Sequence, residues 1–193
     1  LAGSGTAGTA PKWGPLIRAC GCSETIVAVT SVTYAPITDS MESGTFWFWH
    51  DGVKQAAVGC RGNPTMRFPA QGLPYLEFDF VGLYADPTDT SQISSPVYTG
   101  FKKPVIVSKA NTTFSLNSVA LVLKELSLAL NNQVEPRLLV GSERVLITDR
   151  DDALSMRVEA VPMATFNPFT LAKAQTQMAA SLVHGTVAGN IAT

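Results

Sequence analysis

TFWFWHDGVKQAAVGC, the sequence of residues 45–60, predicts a β-hairpin. Its first half contains four consecutive aromatic side chains, and aromatic residues are enriched in strands. The dipeptide Asp51-Gly52 follows. Both central residues of a two-residue type I′ turn require a positive φ, which Asp and Gly adopt more readily than most residues. We therefore predict two antiparallel strands on either side of this turn, the second ending at Cys60.

Period-two alternation of apolar and polar residues marks further strands. In residues 76–80, Leu and Phe alternate with Glu77 and Asp79, which predicts one buried face and one wet face. Runs rich in apolar and β-branched residues occupy 26–34, 105–107, 145–148, 154–161 and 181–184. With the hairpin, we count nine or ten strands. The predicted fold is mainly β, of the β-sandwich or barrel-like class.

Helical signals are few. Residues 11–20 predict one short helix. One principal flanking α-helix is predicted near residues 168-181, where Asn167 can cap and Pro168 takes the first helical position. Ala, Gln, Leu, Lys and Met dominate the residues that follow, and most of these favour helices.

Two other segments have weaker signals. Residues 1–10 are small and polar with three glycines, and they predict a flexible Gly-rich arm or loop. Residues 118–131 fit a helix and a strand equally, because their apolar residues recur at both spacings. Periodicity alone does not decide between the two.

The low charge of the chain favours assembly with a partner. Only 15% of the 193 residues are charged, against roughly 25% in an average soluble domain. A neutral, partly apolar surface usually contacts another protein. With 14 basic and 15 acidic residues and no basic run, the chain lacks the patch that tight nucleic-acid binding needs. The length suits one domain, 1–193, with its own core.

The sequence also bears on membranes and on the chain ends. No run of about 18 apolar residues predicts a membrane span, and no signal peptide is visible. We expect no membrane partner. The chain begins at Leu1 without Met and ends on a stretch resembling an interrupted strand, so we expect an internal part of a longer polypeptide.

Histidine and cysteine residues form no recognisable catalytic or metal-binding pattern. His50 lies at the tip of the predicted hairpin and His184 precedes a glycine, so we interpret both as surface or turn residues. Cys20 and Cys22 are separated by one residue, which is a poor spacing for zinc. Together with Cys60 they make an odd number, which argues against a disulfide framework and favours reduced thiols in a cytosol-made protein.

Two groups of carboxylates could in principle form a site. Asp149, Asp151 and Asp152 could hold Ca²⁺, but the loop lacks the EF-hand pattern. An ion pair with Arg150 in a solvated turn is the simpler interpretation. The acidic residues of the strand at 76–80 could resemble a glycosidase pair, yet they are typical of the polar face of a half-buried strand. We predict no enzyme activity, no cofactor and no metal.

The aromatic run is the best candidate for a contact between copies. On a strand its side chains point alternately to opposite faces, so at least one set must meet either a second core or a partner. The candidate self-assembly contacts are Phe46, Trp47, Phe48, Trp49 and His50.

Five blocks follow one another along the chain: GTAGTAPKWGPLIRACG at 5–21, GNPTMRFPA at 62–70, PYLEFDFVGLY at 74–84, NQVEPR at 132–137 and ITDR at 147–150. In this order they resemble the major tail tube proteins of long-tailed (siphovirus, Mu-like) bacteriophages and prophages. The resemblance spans most of the chain.

The resemblance implies a β-sandwich with a flanking helix, assembled as hexameric rings that stack into the tail tube. Inner strands of neighbouring copies would form a continuous barrel through which genome DNA passes without sequence-specific binding. The protein would be made in the host bacterial cytoplasm and reside in the virion with other tail proteins. Residues 1–10 and 37–75 would be candidate ring or inter-ring contacts, and 118–131 would be strand.

Two alternative functions are also compatible with the sequence. The first is another structural part of a virion, such as a tail terminator, a connector or a decoration protein. The second is a β-sandwich module that binds carbohydrate or mediates adhesion, in which exposed aromatic rings would stack on sugars.

Overall fold

The computed structural model describes residues 1–193. It contains two short helices, α1 (Gly14–Arg18) and α2 (Pro168–Lys173), and twelve strands. The strands are β1 (Cys22–Val27), β2 (Ser31–Pro36), β3 (Gly44–His50), β4 (Val53–Pro69), β5 (Tyr75–Asp89), β6 (Thr112–Leu116), β7 (Val119–Ala120), β8 (Leu123–Ala129), β9 (Asn132–Leu139), β10 (Ser142–Arg150), β11 (Ala153–Val158) and β12 (Ala180–His184).

The predicted mainly β fold is confirmed, with antiparallel pairing throughout. The strands form four sheets: β1-β2, β9-β10, β12-β6-β7, and a five-stranded sheet built on β4. β4 is central because β5 pairs along one of its edges while β3 and then β8 pair along the other. None of these sheets closes on itself as a barrel.

The hairpin predicted at 45–60 is confirmed. β3 and β4 pair in antiparallel register from Gly44 opposite Cys60 to His50 opposite Val53. Asp51 has a φ of 49° and the following glycine a φ of 81°, as a type I′ turn requires. β4 runs on to Pro69, because its second half pairs with β8 as well as β5.

The structure decides two further predictions, for residues 118–131 and for residues 105–107. Residues 118–131 contain β7 and β8, so the strand interpretation that the resemblance favoured is right. The strand predicted at 105–107 is wrong. There the chain runs beside the turn after β4. Val107 N donates to Gly72 O at 2.9 Å, and Val107 O accepts from Gln71 N at 2.8 Å.

The helix predicted near 168–181 begins as expected but is much shorter. Asn167 accepts a hydrogen bond from Thr170 N at 3.1 Å, and Pro168 is the first helical residue. The helix ends at Lys173 and buries no residue. Without packing, a helix of this length is marginal. Residues 174–179 form a turn and an irregular segment, in which Gln175 has a φ of 50°. The chain then enters β12, which pairs with β6.

The main core lies between the five-stranded sheet and the three-stranded sheet, which is a sandwich arrangement. The first sheet contributes Phe68 and Leu126, and the second contributes Phe114 and Leu116. A second cluster joins α1, β1 and the residue after β8 through Ile17 and its neighbours. The predicted short helix at 11–20 is thus present as α1, held by its buried face.

His184 ends β12 beside the main core. The side chain is 3% exposed, its Nδ1 lies 2.8 Å from Thr112 Oγ1, and its Nε2 is buried without a partner. The interpretation of His184 as a surface or turn residue is therefore wrong, because its strand pairs with β6 over the core. Burial lowers the pKa of the His184 imidazole below its ordinary value.

This burial predicts a pH-dependent stability. Below about pH 6.5 the unfolded chain binds a proton on His184 that the folded chain resists. The stabilisation should be complete above that pH and decrease as the pH falls through the lowered pKa. In urea titrations from about pH 7 to about pH 5, His184→Gln should reduce the slope of unfolding free energy against pH. An unchanged slope in His184→Gln would contradict the prediction.

Candidate assembly surface

The aromatic run in β3 is divided between the molecule and solvent. Phe46 packs against Phe80 of β5, with ring centroids 4.6 Å apart. Trp47 and Phe48 are 56% and 50% exposed, whereas Trp49 is half-buried. One residue from each face of the strand is therefore exposed. The two rings offer an apolar surface that this chain alone leaves in water.

A lysine holds the tryptophan side of this surface in place. Lys54 of β4 lies opposite Trp49 in the register. Its Nζ lies 5.4 Å from the ring centroid of Trp47 and 5.9 Å from that of Trp49. Both distances are within reach of a cation–π interaction. The two indoles and the ammonium group thus form one ordered patch rather than three independent side chains.

Around the second half of β4, the central sheet has four strands in the order β11-β8-β4-β5. Residues that are paired in register form rows across these four strands, and alternate rows point to opposite faces of the sheet. One face carries mostly small and polar side chains, in the rows Tyr75-Arg67-Ser127-Ser155, Glu77-Thr65-Ala129-Ala153 and Pro69-Glu125-Arg157. The opposite face carries Leu76, Met66, Phe68, Leu126, Leu128 and Met156, and it packs on the core. The face alternation predicted for residues 76–80 is confirmed.

The polar face is nearly balanced in charge. Arg67 Nε lies 2.7 Å from Glu77 Oε2, and Arg157 Nε lies 3.2 Å from Glu125 Oε1. Asp79 adds one further exposed carboxylate from β5. The two ion pairs are exposed, so each adds little to stability. They leave the face without a basic patch.

Both outer strands of this four-stranded region have an unpaired edge. β5 pairs only with β4, and β11 pairs only with β8. Because three antiparallel pairings separate them, β5 and β11 run in opposite directions. An unpaired edge is a template for pairing with another chain. These two edges can therefore pair with one another between copies in antiparallel fashion.

A buried polar cluster fixes the β9-β10 hairpin on the central sheet. Asn132 Nδ2 donates to Cys20 O at 2.7 Å and to Gly62 O at 2.9 Å, and its Oδ1 accepts from Arg150 Nε at 2.8 Å. Arg61 Nη1 also donates to Val145 O at 2.8 Å. Helix α1, β4 and the hairpin are thereby joined at one point, which sets the direction in which the hairpin projects.

The histidine and cysteine residues do not come together as a reactive site. His50 lies at an exposed turn and His184 in the buried end of another sheet. Burial raises the pKa of the Cys20 thiol to about 12, and it also raises the pKa of Cys22 and Cys60. These thiols are protonated at neutral pH and poor metal ligands. No three His, Cys, Asp or Glu side chains lie close enough to hold a metal ion.

The acidic residues are engaged in ordinary polar contacts. Arg150 Nε lies 3.9 Å from Asp152 Oδ1, and Asp149 Oδ1 accepts from Arg150 N at 2.8 Å. The ion pair predicted in this turn is therefore present. Glu77 forms an ion pair with Arg67 of the neighbouring strand β4. That arrangement suits the polar face of a strand.

Residues 1–10 lie against other parts of the chain. Gly5 N donates to Gly189 O at 3.0 Å, and Ala2 O accepts from Trp13 Nε1 at 2.8 Å. Their flexibility stays a prediction.

Sequence reasoning overlooked two exposed apolar features. The tip of the β9-β10 hairpin carries Leu138, Leu139 and Val140, of which Val140 is fully exposed. Three apolar residues followed by Gly141, at a turn between strands, were the available signal. The connection 90–111 contains no strand and exposes several apolar side chains; its length and its proline and serine content were the corresponding signal.

The comparisons with known proteins agree with this structural role. No helix of the chain combines the length and the apolar character needed to cross a membrane. Searches of curated proteins and of solved structures found no significant match. The family model described as phage tail tube protein matches residues 1–193. The chain therefore belongs to the phage tail tube protein family and is a structural component of the virion tail.

Proposed function

We propose that this protein assembles with copies of itself into hexameric rings, which stack into the tail tube of a long-tailed, Mu-like phage and form a conduit for DNA ejection. The observation that carries the proposal is the four-stranded region β11-β8-β4-β5 with its two unpaired edges. Residues 1–193 would act as one tail tube domain, in agreement with the extent of the family match.

The even number of strands in this region supports a ring. Rotation about a common axis preserves the direction of each strand along that axis, so β5 of one copy meets β11 of the next. These strands run in opposite directions, and their seam is a standard antiparallel ladder. Such a contact uses two different surfaces and closes when the rotation fits. Each copy then satisfies its neighbour's open edge, and the sheet becomes a continuous barrel.

The polar face of the four strands would line the channel. Its opposite face is committed to the core, so only this face is free to look inward. Its two arginines are paired with glutamates, and Asp79 contributes an extra negative charge. Such a wall offers no cluster of free cations to hold phosphates. DNA would pass through without sequence-specific binding.

The aromatic arm, which is the hairpin formed by β3 and the first half of β4 (residues 44–60), would supply contacts between copies. Of the candidates Phe46, Trp47, Phe48, Trp49 and His50, the tryptophan at 47 and the phenylalanine at 48 are the most exposed large rings. Aromatic residues are enriched at the buried centre of protein interfaces. Residues 1–10 and 37–75 are further candidates for ring and inter-ring contacts, and other tail proteins would bind the ends of the tube.

The chemistry of the chain agrees with synthesis in the host bacterial cytoplasm. All three cysteines are buried and free, which a reducing compartment maintains. A structural role also leaves no need for catalysis or a cofactor, and neither is proposed.

Negative-stain electron microscopy of the purified protein tests the proposal directly. We expect rings or tubes, with light scattering showing a mass many times that of one 20.5 kDa chain. A stable monomer at every concentration tested would overturn ring assembly. Saturable sugar binding by that monomer, detected through tryptophan fluorescence, would instead support the carbohydrate-binding alternative.

A further inference from the structure

The β9-β10 hairpin projects beyond the body of the molecule. Its base is fixed by Asn132, whereas residues 135–144 are exposed throughout. At the tip, Leu138 and Leu139 are 63% and 49% exposed, and Val140 is fully exposed. The hairpin is a two-stranded sheet with both edges unpaired. Such hairpins are marginally stable in water unless something packs against them.

Two arginines face each other across this hairpin. Arg144 lies directly opposite Arg137 in the antiparallel register. Like charges directly opposite destabilise a strand pair. Four salt bridges occur within 4.0 Å in the chain, and neither arginine takes part in any of them. The pair therefore lacks a close carboxylate partner in its own chain, and an acidic surface from elsewhere would relieve the repulsion.

An acidic surface of this kind exists at the far end of the aromatic arm. Asp51 occupies the β3-β4 turn, and Asp86 and Asp89 lie in the last residues of β5; all three are exposed. Thr90 N donates to Gly52 O at 3.0 Å, which holds the end of β5 beside the turn. None of the three aspartates forms a salt bridge.

The basic residue nearest these aspartates is already engaged. Lys54 lies over the two tryptophan rings of the same arm. Exposed aromatic rings occur in the same strands, including Tyr84, which is 77% exposed and precedes Asp86 by two residues in β5. The arm end is acidic and apolar. The exposed residues 135–144 of the hairpin carry Glu135 and Glu143 as well as the two arginines, so its attraction for the carboxylates rests on the opposed pair Arg137 and Arg144 beside the apolar tip.

The geometry points to a contact between copies in which the β9-β10 hairpin of one copy docks on the arm end of the next. Arg137 and Arg144 would pair with Asp86 and Asp89, and the leucine and valine side chains of the tip would cover the exposed aromatic rings. The two surfaces differ, so the contact is head-to-tail, as closed rings require. This inference rests on the proposed self-assembly and names a surface that contributes to it.

Nucleic-acid phosphate is the other partner that two arginines could accept. The apolar tip favours protein over phosphate, because leucine and valine gain nothing from a charged backbone, whereas burying them against aromatic rings stabilises an interface. Two exposed arginines also fall short of the several contacts that hold DNA at physiological salt.

Charge reversal tests the contact. Arg137→Glu/Arg144→Glu should raise the concentration at half-maximal assembly by about 100-fold, because like charges across an interface cost several kcal/mol. Asp86→Arg/Asp89→Arg should do the same. Carrying all four changes in one chain should restore assembly to within about fivefold of wild type, since opposite charges again meet. Light scattering and electron microscopy give the readout, and circular dichroism reports the strand content of every variant.

A matched control reverses the same number of positive charges elsewhere. Lys109→Glu/Lys173→Glu changes two exposed lysines outside both surfaces and should assemble like wild type. Normal assembly of the arginine variant would overturn this inference and leave the proposed rings intact. Failure of the fourfold variant to recover would also overturn it. Normal assembly with reduced DNA retention would assign the arginines to nucleic acid instead. A wild-type protein that never assembles would overturn both proposals.

Discussion

Trp47→Ala should weaken self-assembly by about 30-fold or more while leaving the fold intact, because buried tryptophans at interface centres commonly contribute about 2 kcal/mol or more. The ring of Trp47 is 56% exposed in the single chain. Truncation therefore removes surface that only a neighbouring copy can cover. The concentration dependence of mass in light scattering measures the effect, and circular dichroism should keep its strand signal.

Trp49→Ala is expected to differ from Trp47→Ala. Trp49 is half-buried and its Nε1 is inaccessible, so its loss should lower the stability of the arm as well as assembly. Phe169→Ala provides a control, because that ring is 70% exposed on α2, away from the aromatic arm. It should assemble like wild type. Unchanged mass in both tryptophan variants would remove the hairpin from the interface.

Asn132→Ala should lower the free energy of unfolding by about 3 kcal/mol, since the loss of one side chain leaves several buried groups unpaired. The amide of Asn132 satisfies the carbonyls of Cys20 and Gly62 and accepts from Arg150. Alanine offers none of these hydrogen bonds. The midpoint of urea unfolding should fall by about 1.5 M, given a typical slope for a domain of this size.

The neighbouring Gln133→Ala is the matched control for Asn132→Ala. Gln133 is exposed, and its side chain forms no hydrogen bond within the chain. Its replacement should change the unfolding free energy by less than about 0.5 kcal/mol. If Asn132→Ala unfolded at the wild-type midpoint, the cluster would not be what fixes the hairpin.

Local chemistry made much of the strand structure predictable. The Asp51-Gly52 turn depends on the φ preferences of its two residues, and the alternation at 76–80 depends on the polarity of successive side chains. Both properties are determined by residues adjacent in the sequence. The start of α2 was equally local, because Asn167 and Pro168 specify a helix beginning wherever the chain is free to form one.

Tertiary pairing explains what the sequence did not predict. The predicted end of the helix near 181 was wrong: the helix ends at Lys173, Gln175 adopts a φ of 50°, and residues 180–184 pair with β6, which is distant in sequence. His184 was placed in a turn for the same reason. The strand at 105–107 was wrong because Val107 forms its hydrogen bonds with a turn instead of a ladder. Each case depends on a contact that short-range patterns do not contain.

The candidate assembly surface was only partly predictable. The aromatic run identified the arm, because consecutive aromatic residues on a strand cannot all face one core. Which rings remain in water depends on Phe80 and Lys54, whose positions follow from register. That Arg137 and Arg144 lie opposite each other cannot be predicted until the register of β9 and β10 is known.

The four strands that each copy would contribute also set the width of the bore. Neighbouring strands are about 4.8 Å apart, so every copy adds about 19 Å to the circumference and about 6 Å to the diameter of the closed wall. Six copies would give a backbone diameter of about 37 Å before strand tilt, which widens it. Because a ring would gain or lose whole copies, its diameter would change only in steps of this size. The diameter measured in a micrograph would therefore give the number of subunits in the ring.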